Sequence, residues 1–381
     1  MDQKQPILII SAPIGSGHVK VARALGASIQ RQAAEMEVRY VNVFDFLSPA
    51  IGRFILRLYL QVLQICPAAY GAAYHWGNGS RAALAGRELI SRYLAGRMHS
   101  YITAVNPAAI ICTHATPAGL VAYLKRHRSL KTPAAAVVTD YIVHRLWVYP
   151  ELDWYFVANQ ELQEYLQTQG IDPTRTMVTG IPVGDGFATA VDKESVLASL
   201  KLAGDCKTVL IMGGGAGVLP MEEIITACDA VGKPLQLIAV CGTNERLRSR
   251  LLAKGPTLKH CTLRPLGFVD NVHELMAIAD ILVSKSGGAT SAEALSRGLP
   301  FLIYRPIPGQ EEANTRYLAE HSVARRIDSP AALKAAIADL LFADPAGLEA
   351  MGSRAAALGR PGAAGAAARK ILEIIRQNLL D

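Results

Sequence analysis

Ile7-Leu-Ile-Ile-Ser11 runs directly into Ala12-Pro-Ile-Gly15-Ser-Gly17-His18, and a run of helical period, Val19–Ala33, follows. Four aliphatic residues and a serine with no polar alternation describe a strand buried on both faces. A glycine turn between such a strand and a helix is the repeating step of a layered α/β fold.

The step recurs along the chain. Val38–Val43, Ala109–Cys112, Ala134–Val138, Trp154–Val157 and Thr176–Val178 read as further buried strands separated by helical patterns. The series then begins again with Thr208–Met212, which enters Gly213-Gly-Gly-Ala-Gly217, and continues through Leu235–Val240, Ile281–Ser284 and Phe301–Tyr304. Between the two series lies Gly180-Ile-Pro-Val-Gly-Asp-Gly186, a stretch suited to a linker. The pattern predicts an α/β protein with two Rossmann-like domains and mostly parallel sheets joined by right-handed crossovers. The predicted boundaries are 1–184 for the first domain, 185–365 for the second, and a terminal helix over 366–381 packing back on the first.

A length of 381 residues suits two domains. With 51% hydrophobic and 19% charged residues the chain is too apolar to be disordered. The formal charge of +7 is unevenly placed: residues 1–149 carry a net +10, residues 150–200 a net −6 and the remainder a net +3. A basic first half implies an anionic partner, nucleic acid or a membrane surface. Met1–Pro6 leads straight into the first strand and does not read as a secretory signal. The longest uncharged runs are broken by proline, histidine and asparagine, so no membrane span is expected. The six cysteines show neither a C-x-x-C pair nor zinc spacing, and reduced thiols in a cytosolic protein are the plain expectation.

The glycine turns are where chemistry is expected. Gly15-Ser-Gly17-His18 brings backbone amides and a histidine to a helix start, the geometry that holds anions. It fits neither the dinucleotide fingerprint nor the P-loop. A tight turn with an incidental histidine is the plain alternative. In Lys285-Ser-Gly287-Gly288-Ala-Thr290-Ser-Ala-Glu293, Thr290 falls in the first helical turn and Glu293 one turn later on the same side. Amides and Thr290 suit a diphosphate, and Glu293 suits two ribose hydroxyls; a capping box that only starts the helix is the alternative. Pro306-Ile-Pro-Gly309-Gln310-Glu311-Glu312-Ala-Asn314 follows a strand and offers donors and acceptors to sugar hydroxyls, or merely a solvated acidic helix start.

Residues 50–100 carry half of that +10: six arginines against Glu88. In Ile51–Ile65 the polar positions Arg53, Arg57, Gln61 and Gln64 form one stripe, and the rest, Gly52 apart, is aliphatic or aromatic, including Phe54 and Tyr59. That is the pattern of an in-plane membrane helix, although a buried helix with one wet edge reads the same way. Arg81 and the arginines after it favour the membrane, since each basic residue near an anionic surface contributes about 1 kcal/mol. Trp76 and Trp147 lie in the same half of the chain.

Taken in order, Gly15-Ser-Gly-His18, Thr113-His114-Ala-Thr-Pro117, Thr139-Asp140-Tyr-Ile-Val-His144, Gly213-Gly-Gly215, Gly267-Phe-Val-Asp-Asn271, the Lys285–Leu295 segment and Pro306–Glu312 resemble the family of monogalactosyldiacylglycerol synthases and processive diacylglycerol glucosyltransferases. A more distant relative is the enzyme that adds GlcNAc to lipid I. The similarity spans residues 7 to about 320.

The resemblance implies a GT-B architecture, with two Rossmann-like domains facing across a cleft, and an inverting transfer of a hexose from a UDP-sugar to the 3-hydroxyl of diacylglycerol. By position it implies His18 as base, with Asp140 as an acidic residue of the acceptor half. It places Gly213, Gly214, Gly215, Gly287, Gly288 and Thr290 at the diphosphate, Glu293 at the ribose, Phe268 and Val269 at the uracil, and Gln310 and Glu311 at the donor sugar. Lys285 or Arg305 is expected to offset diphosphate charge. Acceptor or membrane contact is expected from Gly15, Gly17, Arg53, Phe54, Arg57, Tyr59, Trp76, Arg81, His114, His144 and Trp147. Ser286 departs from the proline or alanine common in the family, a change expected to matter little, and the linker Pro182–Gly186 differs in a way expected to bear on domain closure.

No D-x-D motif is present and the second domain offers no clear carboxylate pair for a divalent cation, so activity without a metal or other cofactor is expected. The expected partners are UDP-sugar, diacylglycerol and an anionic lipid surface on the inner face of the cell membrane, and no nucleic-acid module is recognisable. Rival readings are GlcNAc transfer to a lipid-linked acceptor, a UDP-GlcNAc 2-epimerase, and a UDP-sugar-sensing protein without activity.

Overall fold

A computed structural model describes residues 5–12, 15–47, 81–143, 145–215 and 219–378. Internal contacts divide the chain into two compact units. One comprises Met1–Asp185, Ile307–Gln310 and Gly362–Asp381, and the other Gly186–Pro306 and Glu311–Pro361.

The first unit is built on six strands: β1 (Ile7–Ser11), β2 (Val38–Asn42), β3 (Ala109–Cys112), β4 (Ala134–Val137), β5 (Trp154–Val157) and β6 (Thr176–Val178). They lie in the order β2-β1-β3-β4-β5-β6, and every pairing is parallel. Ile7 faces Val38 on one side and Ala109 on the other, so β1 is central, and all five of its residues are buried. β2 stops at Asn42 rather than running to residue 43, because the Asn42 side chain accepts from the Phe44 amide and opens a short 3-10 turn. The terminal helix, Ala363–Asn378, packs against the Ser16–Gln32 helix, and Gln32 Nε2 donates to the Gly365 carbonyl at 3.0 Å.

The second unit repeats the plan with β7 (Thr208–Met212), β8 (Leu235–Val240), β9 (Cys261–Leu266), β10 (Ile281–Ser284), β11 (Phe301–Tyr304) and β12 (Ala324–Ile327), ordered β12-β11-β10-β7-β8-β9 and again parallel throughout. β9 and β12 were not expected from the sequence, and both are edge strands. Their runs, Cys-Thr-Leu-Arg-Pro-Leu and Ala-Arg-Arg-Ile, carry polar residues or proline because an edge strand is not covered on both sides.

Strand order reverses at β1/β3 in the first sheet and at β7/β10 in the second. Open parallel sheets bind ligands beyond the carboxyl ends of the strands at such a point, where connections leave to opposite faces and open a crevice. Each of the four strands is followed by a segment singled out above: Gly15–His18 after β1, Thr113-His114 after β3, Gly213–Gly215 after β7 and Lys285–Gly288 after β10. No helix among the described residues is long and apolar enough to cross a membrane.

Candidate active site

Beyond β1, Gly15 adopts φ 79°, a conformation that glycine reaches without the Cβ penalty. This lets the helix begin at Ser16, earlier than the predicted Val19, so Gly17 and His18 belong to its first turn rather than to the loop. His18 is thereby held at the end of β1. Its Nδ1 lies 3.0 Å from the Thr113 carbonyl and 2.8 Å from the Thr139 hydroxyl, and the Thr113 hydroxyl donates to the His18 carbonyl at 3.2 Å. Thr113 and Thr139 lie just past β3 and β4, so adjacent strands fix the ring. A carbonyl only accepts, so Nδ1 carries the hydrogen and Nε2 is left with a bare lone pair. Burial pushes the His18 pKa down to about 4, against a smaller upward pull from the Thr113 carbonyl, and the imidazole is neutral at neutral pH.

His114 stands edge-on to His18, with ring centroids 4.6 Å apart and planes at 87°. Trp147 lies 6.4 Å from His114 and is only 5% exposed, so it faces this cluster rather than an outer surface. Its segment is fastened from β5: the buried Tyr155 hydroxyl accepts from the Tyr149 amide at 2.8 Å and lies within bonding distance of the Trp147 and Tyr149 carbonyls. Asp140, 2% exposed, follows Thr139, and the Gln310 side-chain amide, which clusters with this unit, donates to its carboxylate. The first unit thus gathers His18, Thr113, His114, Thr139, Asp140 and Trp147.

In the second unit, Gly214 adopts φ 71° in the turn after β7. Gly242, at φ 59°, approaches so closely that a Cβ there would lie 2.4 Å from the Gly215 carbonyl oxygen. The Thr243 amide and hydroxyl both donate to that oxygen at 3.2 Å. The turn after β10 is fixed in the same manner, for Ser284 donates to the Met212 carbonyl at 2.7 Å. Gly287 precedes the Gly288–Ser296 helix without any side-chain cap, so the capping-box alternative does not apply here. The first-turn amides are then available to an anion. Thr290 is partly exposed on the first turn, and Glu293 lies one turn on, 6% exposed. Lys285 makes no ion pair or hydrogen bond among the described residues. Phe268 is 69% exposed, an unusual state for a phenylalanine, and Val269 beside it is half-buried.

Arg305 pairs with Glu223 at 2.9 Å, donates to the Asp328 carbonyl and lies over the Tyr304 ring, so its charge is shared with the Glu223 carboxylate. Ser286 is not an indifferent replacement. Fully buried, it donates to the Glu311 carbonyl at 2.6 Å and lies 2.8 Å from the Thr315 hydroxyl, while Asn314 Nδ2 donates to the Ser286 carbonyl at 3.0 Å. This seam ties the β10 turn to the first turn of the Gln310–Glu320 helix, where Glu311 sits.

Arg53, Phe54, Arg57, Tyr59, Trp76 and His144 lie outside the described residues; Arg81 opens the Arg81–Val105 helix. The sequence reading missed Thr113, Thr139 and the Ser286–Thr315 contact as parts of the site. A signal existed for the threonines, since each directly precedes a candidate residue at the end of a buried strand. Among the described residues no group of three or more His, Cys, Asp or Glu could hold a metal ion.

Residues 18–183 match the family model for monogalactosyldiacylglycerol synthase, and residues 208–366 match the C-terminal domain of glycosyltransferase family 28. A processive diacylglycerol beta-glucosyltransferase of Bacillus licheniformis is 30% identical over 85% of this chain and 83% of its own length. The chain belongs to the monogalactosyldiacylglycerol synthase and processive diacylglycerol glucosyltransferase family. As a member of it, the protein is a UDP-sugar glycosyltransferase. The fold also matches solved structures. MurG of Acinetobacter baumannii superposes with a TM-score of 0.61 at 16% identity, covering 98% of this chain and 99% of that one. The UDP-GlcNAc 2-epimerase of Neisseria meningitidis, bound to UDP-GlcNAc, superposes with a TM-score of 0.60 at 13% identity, covering 97% of this chain and all of that one. Both likenesses place this family member in the GT-B fold.

Proposed function

We propose that the protein transfers glucose from UDP-glucose to the 3-hydroxyl of diacylglycerol with inversion, making a β-glycosyl diacylglycerol at a membrane surface. The observation that carries this reading is the His18 imidazole, whose Nδ1 is occupied by Thr113 and whose Nε2 has no hydrogen-bond partner among the described residues. Nε2 takes the proton of the acceptor hydroxyl as its oxygen bonds to the anomeric carbon. The bond from that carbon to the diphosphate breaks, and UDP leaves with the electron pair.

Negative charge then develops on the diphosphate. The uncapped amides at Gly288–Thr290, the Gly213–Gly215 turn and Lys285, unpaired among the described residues, are suited to meet it, and the proposal assigns no metal to the step. Glu293 holds the ribose hydroxyls, Phe268 and Val269 flank the uracil, and Gln310 and Glu311 contact the sugar. Glucose is chosen over galactose because the Bacillus licheniformis relative is named a glucosyltransferase. Membrane contact is assigned to the basic stretch 50–100, which supplies Arg53, Arg57, Arg81 and Arg87, and in which Arg92 and Arg97 are exposed.

The test is incubation with diacylglycerol liposomes and each UDP-sugar in turn, with the lipid products separated and identified. A glucosylated diacylglycerol is the expected product, and turnover only with another donor or only on another acceptor overturns the assignment. EDTA is included in one arm; loss of activity restored by magnesium overturns the metal-free step. Neutralising Arg53, Arg57, Arg81 and Arg87 is expected to weaken binding to anionic liposomes.

A further inference from the structure

His114 takes no part in the chemistry above, yet it is built into the site. It is the N-cap of the Ala115–Arg128 helix, and its Nδ1 accepts from the Thr116 amide at 3.0 Å. Serine, threonine, aspartate or asparagine normally fills this position, and a histidine ring is a bulky means of accepting one hydrogen bond. The rest of the ring meets two other residues: its edge-on contact with His18 at 4.6 Å, and Trp147 at 6.4 Å.

The two imidazoles carry their hydrogens on opposite nitrogens. Because Nδ1 of His114 accepts from a backbone amide, its hydrogen is on Nε2, whereas His18 holds its hydrogen on Nδ1 and leaves Nε2 bare. Protonating His114 would break the cap and set a cation beside His18. We propose that His114 is a positioning residue for the transfer: wedged between Trp147 and His18, it holds the His18 ring in the orientation that presents the bare Nε2, and stays neutral while doing so. The proposal rests on the reading of His18 as the base.

The charged groups on the elements carrying these rings are Lys20, Arg23 and Arg31 on the Ser16–Gln32 helix, Asp140 after Thr139 and Arg145 beside Trp147, and the basic residues of the capped helix are confined to its last turn, Lys125–Arg128. None of them dominates either ring's proton affinity. Burial and the Thr113 carbonyl set that of His18, while burial followed by the nearby His18 holds His114 well below the ordinary histidine value.

The experiment separates capping from positioning. His114→Asn keeps a side-chain acceptor for the Thr116 amide but removes the ring, and His114→Ser is a second variant with the same property. Transfer from UDP-glucose to diacylglycerol is measured from about pH 4 to about pH 9 for both variants, for wild type and for His18→Ala, with thermal unfolding alongside. The expected result for the capping variants is an unchanged Tm, an unchanged KM for UDP-glucose, a kcat lower by about tenfold or more, and an acid limb shifted to higher pH as water reaches the His18 ring. Wild-type kcat with an unshifted limb in a folded variant overturns the proposal and leaves His114 as a cap alone. Turnover near the wild-type rate in His18→Ala instead overturns the base assignment, a separate outcome. Nitrogen NMR of the wild-type protein at neutral pH is independent of any variant's folding: it is expected to find the hydrogen on Nδ1 of His18 and on Nε2 of His114, and the same tautomer on both would overturn the arrangement.

Discussion

His18 and Thr113 exchange hydrogen bonds: the imidazole of His18 donates to the carbonyl of Thr113 at 3.0 Å, and the hydroxyl of Thr113 donates to the carbonyl of His18 at 3.2 Å. The pair joins the helix start after β1 to the end of β3, the two strands flanking the switch point of the first sheet. Thr113→Val keeps the accepting carbonyl and removes the hydroxyl. It is expected to cost about 1 kcal/mol of stability, the usual net worth of one such bond, and to lower kcat modestly by loosening the ring. Denaturant unfolding beside steady-state kinetics checks both; a variant indistinguishable from wild type in each would mean that the hydroxyl has no hold on the site.

His18→Ala removes the only nitrogen that the proposed mechanism uses as a base. Transfer is expected to fall by roughly 10²–10⁴, the range that a positioned base contributes. UDP affinity, measured by calorimetry, is expected to stay near wild type because the groups assigned to the uracil, ribose and diphosphate belong to the other unit. A matching loss of UDP binding would mean that His18 serves the donor and not the acceptor.

The depressed pKa of His18 also makes stability depend on pH. Its folded value of about 4 lies below the ordinary 6.5, so between them the unfolded chain takes up a proton that the folded chain does not. The neutral ring's contribution is therefore fully present above about pH 6.5 and is lost as the pH falls toward about 4; His114 acts in the same direction. Wild-type Tm is expected to decline across that window, and His18→Gln, which has nothing to protonate, to decline less. Parallel curves for the two would remove His18 as a source of the dependence.

Much of this architecture is legible in the sequence, and what is not escapes for definable reasons. The central strands carry continuous apolar runs such as Ile7–Ile10 and Val209–Met212 because both faces are covered, and that pattern is unmistakable. Edge strands lack it: Arg325 and Arg326 in β12, and Thr262 in β9, are exposed. Residue types at the helix starts pointed to His18, Thr290 and Glu293. The tautomer of His18 could not be read, since it is set by a carbonyl 95 residues away that only the pairing of β1 with β3 brings near. Nor could the commitment of Arg305 to Glu223, a contact across 82 positions that depends on where the Met221–Asp229 helix packs.

Glu293 is 6% exposed at the second turn of the helix after β10, where a carboxylate can accept from both hydroxyls of a ribose. Glu293→Gln keeps the shape and removes the charge. Hydrogen bonds to charged groups are worth about 1.5–3 kcal/mol, so UDP affinity is expected to drop by roughly tenfold to a hundredfold. Unaltered affinity in a folded variant would sink the ribose assignment.

Gly242 tests whether the turn after β7 has one permitted shape. Its φ of 59° disfavours any L side chain, and a Cβ would meet the Gly215 carbonyl oxygen at 2.4 Å, backbone that cannot swing aside as a side chain tip would. That oxygen is also the one to which both the amide and the hydroxyl of Thr243 donate, so pushing it away disturbs two hydrogen bonds at once. Gly242→Ala is therefore expected to destabilise the second unit by about 1–3 kcal/mol and to weaken UDP binding through displacement of Gly213–Gly215. Gly232→Ala is the control: it shares a positive φ of 76°, but its Cβ would meet nothing within 4 Å, so it is expected to show the backbone strain without the loss of UDP affinity. Equal losses of UDP affinity in the two variants would show that the close approach of Gly242 to Gly215 has no part in forming the nucleotide turn.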